Sequence, residues 1–151
     1  MIDYRGQTFV ERIEDVLIRR CDAVTRLGPG GLKDAIGAQG PMAGILAALE
    51  HDGQAWWLIA ACDMPLISTE AVDWLLSQRS LDIDGVIPID SSGWRQPLFA
   101  LYHGRLCERI AHLSSPREVA ELPVVKCPII PADLEGHWCN VNTPSALSAL
   151  P

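Results

Sequence analysis

Hydrophobic residues recur at intervals of three and four in several stretches of the chain, the spacing of one face of an α-helix. In the first stretch Phe9, Ile13 and Leu17 lie on such a face, with acidic residues between them. A second helix is predicted to begin at Pro41, because a proline suits the first helical position, where its missing N–H needs no partner. The pattern therefore predicts helices near 9–17, 41–50, 69–78 and 106–113, and a last helix capped by Thr143.

Short apolar runs between these helices predict β-strands. The run at 56–62 is continuous rather than alternating, which is typical of a strand buried on both faces in a parallel sheet. Further strands are predicted at 23–27, before a glycine-rich turn, and at 86–89, 98–102 and 124–127, the last at an edge. The alternation of helices and strands indicates an α/β fold: a Rossmann-like, three-layer α/β/α domain with a mostly parallel sheet. Residues 1–151 are predicted to form one domain.

Composition narrows the classes of function. Hydrophobic residues make up 48% of the chain and charged residues 21%, as in ordinary globular proteins. The net charge of −7 argues against a nucleic-acid binder, which needs clustered Lys and Arg, but a metal ion and a helix N-terminus can still hold a nucleotide. The 5 cysteines form no C-x-x-C pair, which favours free thiols. With no signal peptide and no apolar run near ~20 residues, we expect a cytoplasmic protein without membrane contact.

The motif Cys62-Asp63-Met64-Pro65 directly follows the longest apolar run. An acidic residue at the carboxyl end of a parallel strand lies where open α/β sheets bind ligands. The carboxylate of Asp63 can therefore hold a divalent cation that bridges phosphate oxygens. The alternative is an ordinary turn aspartate.

A glycine-rich sequence, Gly40-Pro41-Met42-Ala43-Gly44, opens the second helix. The N-terminus of a helix presents free N–H groups and the positive end of its dipole to an anion. The small residues also allow a ligand or another backbone to come close. Nucleotide binding and tight packing of the helix on the sheet both remain open from the residues alone.

Two further motifs carry amide side chains. Asn140 and Asn142 occupy alternate positions, which face the same way in an extended segment, and amides suit sugar hydroxyls, bases or metal-bound water. Gln96-Pro97 precedes a predicted strand. Without other context, the first motif is a turn with a helix cap and the second is a strand start.

Together these motifs, in this order, resemble the molybdenum-cofactor guanylyltransferases. The resemblance rests on G-P-M-A-G-I-L-A-A-L from residue 40, W-L-I-A-A-C-D-M-P from residue 57, R-Q-P-L-F-A-L-Y from residue 95 and N-V-N-T-P from residue 140. The opening Y-R-G-Q-T-F-V-E-R-I-E-D-V-L resembles the segment after that family's signature loop. Other small nucleotidyltransferases, including cytidylyltransferases, share part of C-D-M-P and N-V-N-T-P, so the choice of base is less fixed.

The resemblance implies an enzyme that transfers GMP from GTP to a molybdopterin phosphate, with Mg²⁺, and releases pyrophosphate. Positioning and charge neutralisation of an in-line displacement are the main demands of this chemistry. By resemblance Asp63 is the metal ligand and, with Asn142, catalytic. The implied nucleotide contacts are Asp34, Gly40, Pro41 and Gly44, and the implied contacts near the pterin and reacting phosphate are Gln96, Pro97, Asn140 and Asn142.

One departure from the family stands at the N-terminus. The family begins with a strand and a loop of the form L-A-G-G-x-S-x-R-M-G-x-D-K, and Met1 falls a few residues after the position of that lysine. We therefore expect this chain to lack the first strand and its phosphate-binding loop. Loss of several donors to the triphosphate is expected to lower turnover by at least ~10²-fold, while pterin binding should suffer less.

Three readings of function stay open. The first is a molybdenum-cofactor guanylyltransferase, whose substrates are GTP and molybdopterin and whose partners are molybdoenzymes or their chaperones. The second is a cytidylyl- or sugar-nucleotidyltransferase. The third is an inactive remnant that binds molybdopterin or a partner protein.

Several residues that carry chemistry in other proteins are expected to be structural here. Cys62 is predicted to be inert packing at the end of a buried strand. His137 and Cys139 lack a second pair at zinc spacing. Trp94 is predicted to be a surface aromatic residue, and the alternative is that it stacks on a pterin. Trp56, Trp57 and Trp74 are predicted to be core residues.

Overall fold

The computed structural model describes residues 3–4 and 6–148. Six strands, six α-helices and two short 3₁₀ helices are formed by these residues. In chain order they are β1 (Asp3–Tyr4), β2 (Gln7–Thr8), α1 (Phe9–Ile18), α2 (Pro41–His51), β3 (Trp56–Ala60), α3 (Thr69–Ser77), β4 (Gly85–Val86), β5 (Phe99–His103), a 3₁₀ turn (Gly104–Leu106), α4 (Cys107–Ile110), α5 (Pro116–Val119), β6 (Val125–Lys126), a second 3₁₀ turn (Glu135–Trp138) and α6 (Pro144–Ser148).

The main sheet has four strands in the order β3-β5-β4-β6. β5 runs antiparallel to both of its neighbours, whereas β4 and β6 are parallel. Three of the four strands therefore share one direction, and β5 runs against them. Strands β1 and β2 form a separate antiparallel pair. The sheet and its helices confirm the predicted α/β class.

Helices cover both faces of this sheet, and β5 connects the two halves of the core. Ala100 and Tyr102 face a cluster that contains the apolar side of α2. Phe99 and Leu101 face the opposite cluster, which contains α1, α3 and Trp138. Successive side chains of a strand point to opposite faces, so the fully buried strand β5 serves both layers.

The helix starts follow from local cap signals. Thr8 and Glu11 form a capping box, in which each side chain accepts a hydrogen bond from the other residue's backbone N–H. Ser68 accepts a hydrogen bond from the N–H of Ala71 at the start of α3. Thr143 caps α6 as predicted. No helix among residues 3–4 and 6–148 is long and apolar enough to cross a membrane.

Three predictions about secondary structure were wrong. Residues 23–27 form no strand, although the turn after them exists, with a 3.0 Å hydrogen bond from the N–H of Gly31 to the carbonyl of Gly28. The helix predicted at 106–113 is reduced to the one turn of α4. β3 is not buried on both faces, because only Ile59 of its five residues is buried.

The exposure of β3 has a structural cause, an open groove along its free edge. β3 pairs with β5 on one side, and no strand of the described residues pairs with its other side. A cavity of about 360 Å³ follows that side. We call it the edge groove, and its walls are Val10, Ile13, Glu14 and Leu17 of α1, the segment 24–27, Ala48 of α2, residues 57–60 of β3 and Cys62.

Candidate active site

Asp63 lies in the turn that follows the carboxyl end of β3. Its carbonyl oxygen accepts a 2.7 Å hydrogen bond from the N–H of Val141, and the next residue, Met64, is buried. The Oδ1 atom of Asp63 is buried and has no hydrogen-bond partner in the described part of the chain. A buried polar atom without a partner is costly and calls for an explanation, and a bound ligand would supply one.

The two asparagines lie beside this turn. Val141 is buried, with 1% of its surface exposed, while Asn140 and Asn142 are exposed on either side of it. Because successive residues of an extended segment face opposite ways, both amides point away from the core. The hydrogen bond to Asp63 therefore brings the asparagine segment next to the carboxylate, from more than half a chain away.

A cleft of about 450 Å³ adjoins these residues. Four of the sequence-predicted site residues line it: Pro41, Gln96, Pro97 and Asn140. The remaining walls are Met64, Asp90, Trp94, Arg95, Leu98, Ser115, Pro116 and Arg117. Asp63 and Asn142 adjoin the cleft through their neighbours Met64 and Asn140 rather than lining it.

Gln96 is fixed in position on one wall of the cleft. Its backbone N–H donates to the carbonyl of Pro88 at 2.8 Å, and its side-chain Nε2 donates to Asp90 at 2.8 Å. Pro97 accepts a 2.7 Å hydrogen bond from the hydroxyl of buried Tyr102. The second N–H and the oxygen of the Gln96 amide have no partner in the described residues and can meet a ligand.

The glycine-rich start of α2 is only partly at the cleft. Gly40 adopts a φ of +58°, which favours glycine, and the next residue, Pro41, reaches the cleft wall. Asp34 and Gly40 are exposed and do not line the cleft. Gly44 faces Leu27, whose Cδ1 atom would lie 3.2 Å from an added Cβ. The sequence left nucleotide binding and tight helix packing both open for Gly44, and the contact with Leu27 favours packing.

Asp90 is a residue that the sequence reasoning missed. Its carboxylate accepts 2.9 Å hydrogen bonds from the backbone N–H groups of Ser92 and Trp94, besides the bond from Gln96. The N–H of Trp94, followed by the contact with Gln96, holds the pKa of Asp90 below its ordinary value. The signal was present in the sequence D-S-S-G-W, since an aspartate that begins such a turn bonds to the backbone that follows.

The outer lip of the cleft carries an aromatic ring and two cations. Trp94 is 60% exposed, in line with its interpretation as a surface aromatic. The guanidinium of Arg117 lies over this ring, 5.4 Å from the centroid, and such contacts are attractive. Arg95 is paired with Glu121 at 2.6 Å. The unpaired charge of this lip therefore comes mainly from Arg117.

Other residue roles differ from those predicted. Cys62 is exposed rather than buried, because β3 ends at Ala60 and the chain turns outward. Trp56, Trp57 and Trp74 are half-buried, the first two because they lie on the open edge of the sheet. Trp138 is the deeply buried tryptophan, and its indole N–H donates to the carbonyl of Phe99 at 3.0 Å. The five cysteines are free, as expected.

The donor atoms at Asp63 fit a magnesium ion better than a zinc ion. No cluster of three His, Cys, Asp or Glu side chains occurs among the residues that the structure describes. Mg²⁺ usually keeps several waters and takes only one or two protein carboxylates, together with substrate phosphates. The partnerless Oδ1 of Asp63 meets that requirement. His137 is not available as a metal ligand through its Nδ1, which lies 2.6 Å from the carbonyl of Leu66.

The fold and the cleft together define a class of protein. A three-layer α/β domain whose polar residues gather beyond the carboxyl end of a strand is the architecture of nucleotide-binding enzymes. Solved structures agree on the fold. Molybdopterin-guanine dinucleotide biosynthesis protein A from Archaeoglobus fulgidus is 22% identical and has a TM-score of 0.70 over 97% of this chain and 85% of its own. A protein from Aquifex aeolicus VF5 is 19% identical, with a TM-score of 0.62 over 74% of this chain and 61% of its own.

The chain belongs to the MobA-like NTP transferase domain family, which matches residues 1–123. A relative from Bacillus cereus (strain ATCC 10987 / NRS 248), named probable molybdenum cofactor guanylyltransferase, is 31% identical over 125 residues. A relative of the same name from Bacillus mycoides (strain KBAB4) is 30% identical over 125 residues. Each match covers 73% of this chain and 62% of the relative, which is less than two thirds of the relative's length.

Proposed function

We propose that this chain forms the greater part of a single nucleotidyltransferase domain that transfers GMP from GTP to molybdopterin with the help of Mg²⁺. The names of the Bacillus relatives support this assignment of substrates. The observation that carries it is the junction between Asp63 and Val141. This hydrogen bond sets a buried, partnerless carboxylate oxygen beside two outward-facing amides, at the end of a cleft large enough for a small molecule.

Asp63 is the proposed ligand of the metal. Mg²⁺, when bound, neutralises phosphate oxygens and so lowers the electrostatic cost of bringing two anions together. Asp63 accepts no hydrogen bond through Oδ1 from the described residues, so that this atom is free to coordinate. Asn142, next to Val141, is proposed to orient the reacting phosphate through its amide N–H groups.

The acceptor substrate is proposed to lie against Gln96, Pro97 and Asn140. The amide of Gln96 has a fixed orientation, because one N–H is held by Asp90. Its oxygen can accept from ring N–H groups of a pterin, and its second N–H can donate to a ring oxygen. A phosphate oxygen attacks the nucleotide in this reaction. That oxygen is already anionic at neutral pH, so no general base is needed, and correct positioning is the main task.

The nucleotide is proposed to enter from the start of α2. Pro41 reaches the cleft, while Asp34 and Gly40 stand outside it, so their contacts with the ribose and base require the nucleotide to extend along the helix start. Gly44 is proposed to help only indirectly, by letting α2 pack closely on Leu27. The positive end of the helix dipole at Pro41 favours the phosphates.

Titration of the 151-residue chain with Mg²⁺–GTP, Mg²⁺–CTP and molybdopterin in separate calorimetric experiments tests this proposal. Pyrophosphate release and formation of the guanine dinucleotide are then followed in a single-turnover assay. Asp63→Asn should weaken Mg²⁺–GTP binding and abolish most turnover, since a neutral amide is a poor ligand for a hard cation. Asn140→Ala should weaken the binding of molybdopterin instead.

Asp133→Asn serves as the matched control, because it removes an exposed carboxylate outside the cleft. It should behave as the unchanged chain. Equal binding of CTP and GTP would leave only the broader nucleotidyltransferase reading. Molybdopterin binding without any turnover, even at high protein concentration, would favour a binding protein over an enzyme. Unchanged Mg²⁺–GTP binding by Asp63→Asn would refute the metal role.

A further inference from the structure

The segment between β4 and β5 forms a closed loop on the cleft wall. We call residues 88–96 the Asp90 loop. The backbone N–H of Asp90 donates to the carbonyl of Trp94, and the N–H of Gly93 donates to the carbonyl of Asp90, both at 3.0 Å. Gly93 has a φ of +85°, which favours glycine. The loop is therefore held by hydrogen bonds within its own backbone.

A second set of contacts ties the Asp90 loop to the rest of the domain. The backbone N–H and the hydroxyl of Ser91 both donate to one carboxylate oxygen of Glu135, at 2.9 and 2.7 Å. Glu135 begins the 3₁₀ turn that leads to Asn140, so this contact joins two walls of the cleft. The position of Asp90, next to Ser91, is thus set before any ligand binds.

The two carboxylate oxygens of Asp90 have different partners. Oδ1 accepts 2.9 Å hydrogen bonds from the backbone N–H groups of Ser92 and Trp94, and Oδ2 accepts a 2.8 Å bond from Nε2 of Gln96. The N–H of Trp94, the strongest of these influences, holds the pKa of Asp90 below its ordinary value, so the group is ionised at neutral pH. An ionised carboxylate only accepts. Gln96 must therefore turn its NH₂ group, and not its oxygen, toward Asp90.

This orientation decides which atoms of Gln96 remain for a ligand. One N–H is bonded to Asp90, while the second N–H and the oxygen have no partner in the described residues and belong to a side chain that lines the cleft. A donor beside an acceptor is the complement of a lactam edge, in which a ring N–H stands next to a ring C=O. An amidine edge, in which a ring nitrogen stands next to an amino group, has the opposite order and would oppose donor to donor.

We propose that Asp90 sets the specificity of the acceptor pocket, because it fixes Gln96 in the orientation that binds a lactam edge and rejects an amidine edge. The inference rests on the proposed function, in which the acceptor ring lies against Gln96. A pterin and a guanine both carry a lactam edge, so the chemistry is shared by the two substrates. Asp90 is a positioning residue, since it acts through Gln96. A site built to bond one pattern rejects an analogue that leaves its polar groups unpaired.

The substitution Asp90→Asn should invert this selection. The single oxygen of the new amide is needed by the N–H groups of Ser92 and Trp94, so its NH₂ group takes the place of Oδ2. Two donors cannot bond to each other, and Gln96 must turn its oxygen toward residue 90. The nitrogen and oxygen of Gln96 thereby exchange places, and the side chain presents the complement of an amidine edge.

Equilibrium binding of two rings to the 151-residue chain, followed by ring fluorescence, tests this inference. One ring is hydroxymethylpterin, which has the lactam edge. The other is the matching diaminopteridine, in which an amino group replaces the ring oxygen and the neighbouring ring nitrogen carries no hydrogen. The unchanged chain should bind the pterin at least ~10-fold more tightly, and Asp90→Asn should reverse the preference.

Three controls separate positioning from a general loss of structure. Asp133→Asn removes the same charge at an exposed site outside the cleft and should keep the preference for the pterin. Gln96→Ala should abolish the preference, and Asp90→Asn added to it should change the ratio of the two Kd values no further. Guanosine and diaminopurine riboside carry the same two edges and show which substrate Gln96 selects.

Equal binding of the pterin and the diaminopteridine, and of the two purines, by the unchanged chain would overturn the inference, whether or not Asp90→Asn folds. So would Asp90→Asn weakening both rings with the preference unchanged, because Asp90 would then have only a structural role. Absence of binding by all four rings at millimolar concentration would also overturn it. Inversion with the purine pair alone would support the role of Asp90 and refute the proposed place of the pterin, so the inference and the proposed function fail separately.

Discussion

The hydroxyl of Tyr102 offers a sharp test of how the cleft wall is held. Tyr102 is fully buried, and its hydroxyl donates a 2.7 Å hydrogen bond to the carbonyl of Pro97. Burial raises the pKa of this hydroxyl well above its ordinary value, so it stays a donor at any pH at which the protein folds. Tyr102→Phe removes only one oxygen and leaves the ring in place.

The loss of stability expected for Tyr102→Phe has two parts. The net value of a buried hydrogen bond is about 0.5–1.5 kcal/mol, and the carbonyl that loses its donor adds a desolvation penalty. Because Pro97 is half-buried, part of that penalty is relieved by water. We therefore expect Tyr102→Phe to lower the free energy of unfolding by about 1–2 kcal/mol, or about 2–4 °C in Tm for each kcal/mol in a domain of this size.

Urea denaturation followed by circular dichroism measures this change. Trp94→Phe is the control, because it also deletes a polar N–H from an aromatic side chain, but at an exposed position, where a change within about 0.5 kcal/mol is expected. If Tyr102→Phe is as stable as the unchanged chain, the hydrogen bond to Pro97 contributes nothing and the reasoning about this wall of the cleft is wrong.

Three more predictions concern stability. Gly44→Ala should raise the free energy of unfolding by up to about 1 kcal/mol in a urea melt, since the flexible end of Leu27 can move away; a clear loss would show a tighter fit. The pKa of His103 is lowered by burial and then by Arg105, so stability should fall as pH drops below about 6.5, and His103→Gln should flatten this dependence in melts at pH 7.5 and 5.5. Thr8→Ala should cost about 1 kcal/mol in a thermal melt; no change would mean that its capping box contributes nothing.

Local signals in the sequence mark the starts of the three longest helices, α1, α2 and α3. The start of α1 is decided by Thr8 and Glu11, and that of α3 by Ser68, all within one helical turn. Pro41 similarly marks the start of α2. Such caps act over three or four residues, so they can be recognised without knowledge of the fold.

Strand pairing depends on distant residues and was harder to predict. Nothing in residues 98–102 shows that β5 runs antiparallel to its neighbours. The direction of a strand is set by the segments that connect it to the preceding and following strands. Residues 23–27 have a strand-like composition, but within the described part of the chain they form only one isolated bridge, between Leu27 and Leu32, and no ladder. An apolar run in a sequence thus indicates that a segment is buried or that it can pair as a strand. Whether it forms a strand depends on a neighbouring strand, which the run itself does not reveal.

The candidate site could be predicted as a set of motifs but not as an arrangement. The resemblance grouped Asp63 with Asn140 and Asn142, and whether these residues act in catalysis stays a prediction. The spatial order within the group, with Gln96 and Asn140 in the cleft and Gly40 outside it, follows from backbone contacts that no motif encodes. The turn pattern D-S-S-G-W could have drawn attention to Asp90, but it gives no sign that this carboxylate also holds Gln96.

The hydrogen bond between Asp63 and Val141 also has a consequence for synthesis on the ribosome. More than half of the chain must be made between these two residues, which takes several seconds at roughly 5–20 residues per second. During that interval the emerging polypeptide has β3 but not the asparagine segment. A nascent chain therefore lacks the complete cleft, and protease cleavage between Asp63 and Val141 would leave the two residues of this hydrogen bond on separate fragments.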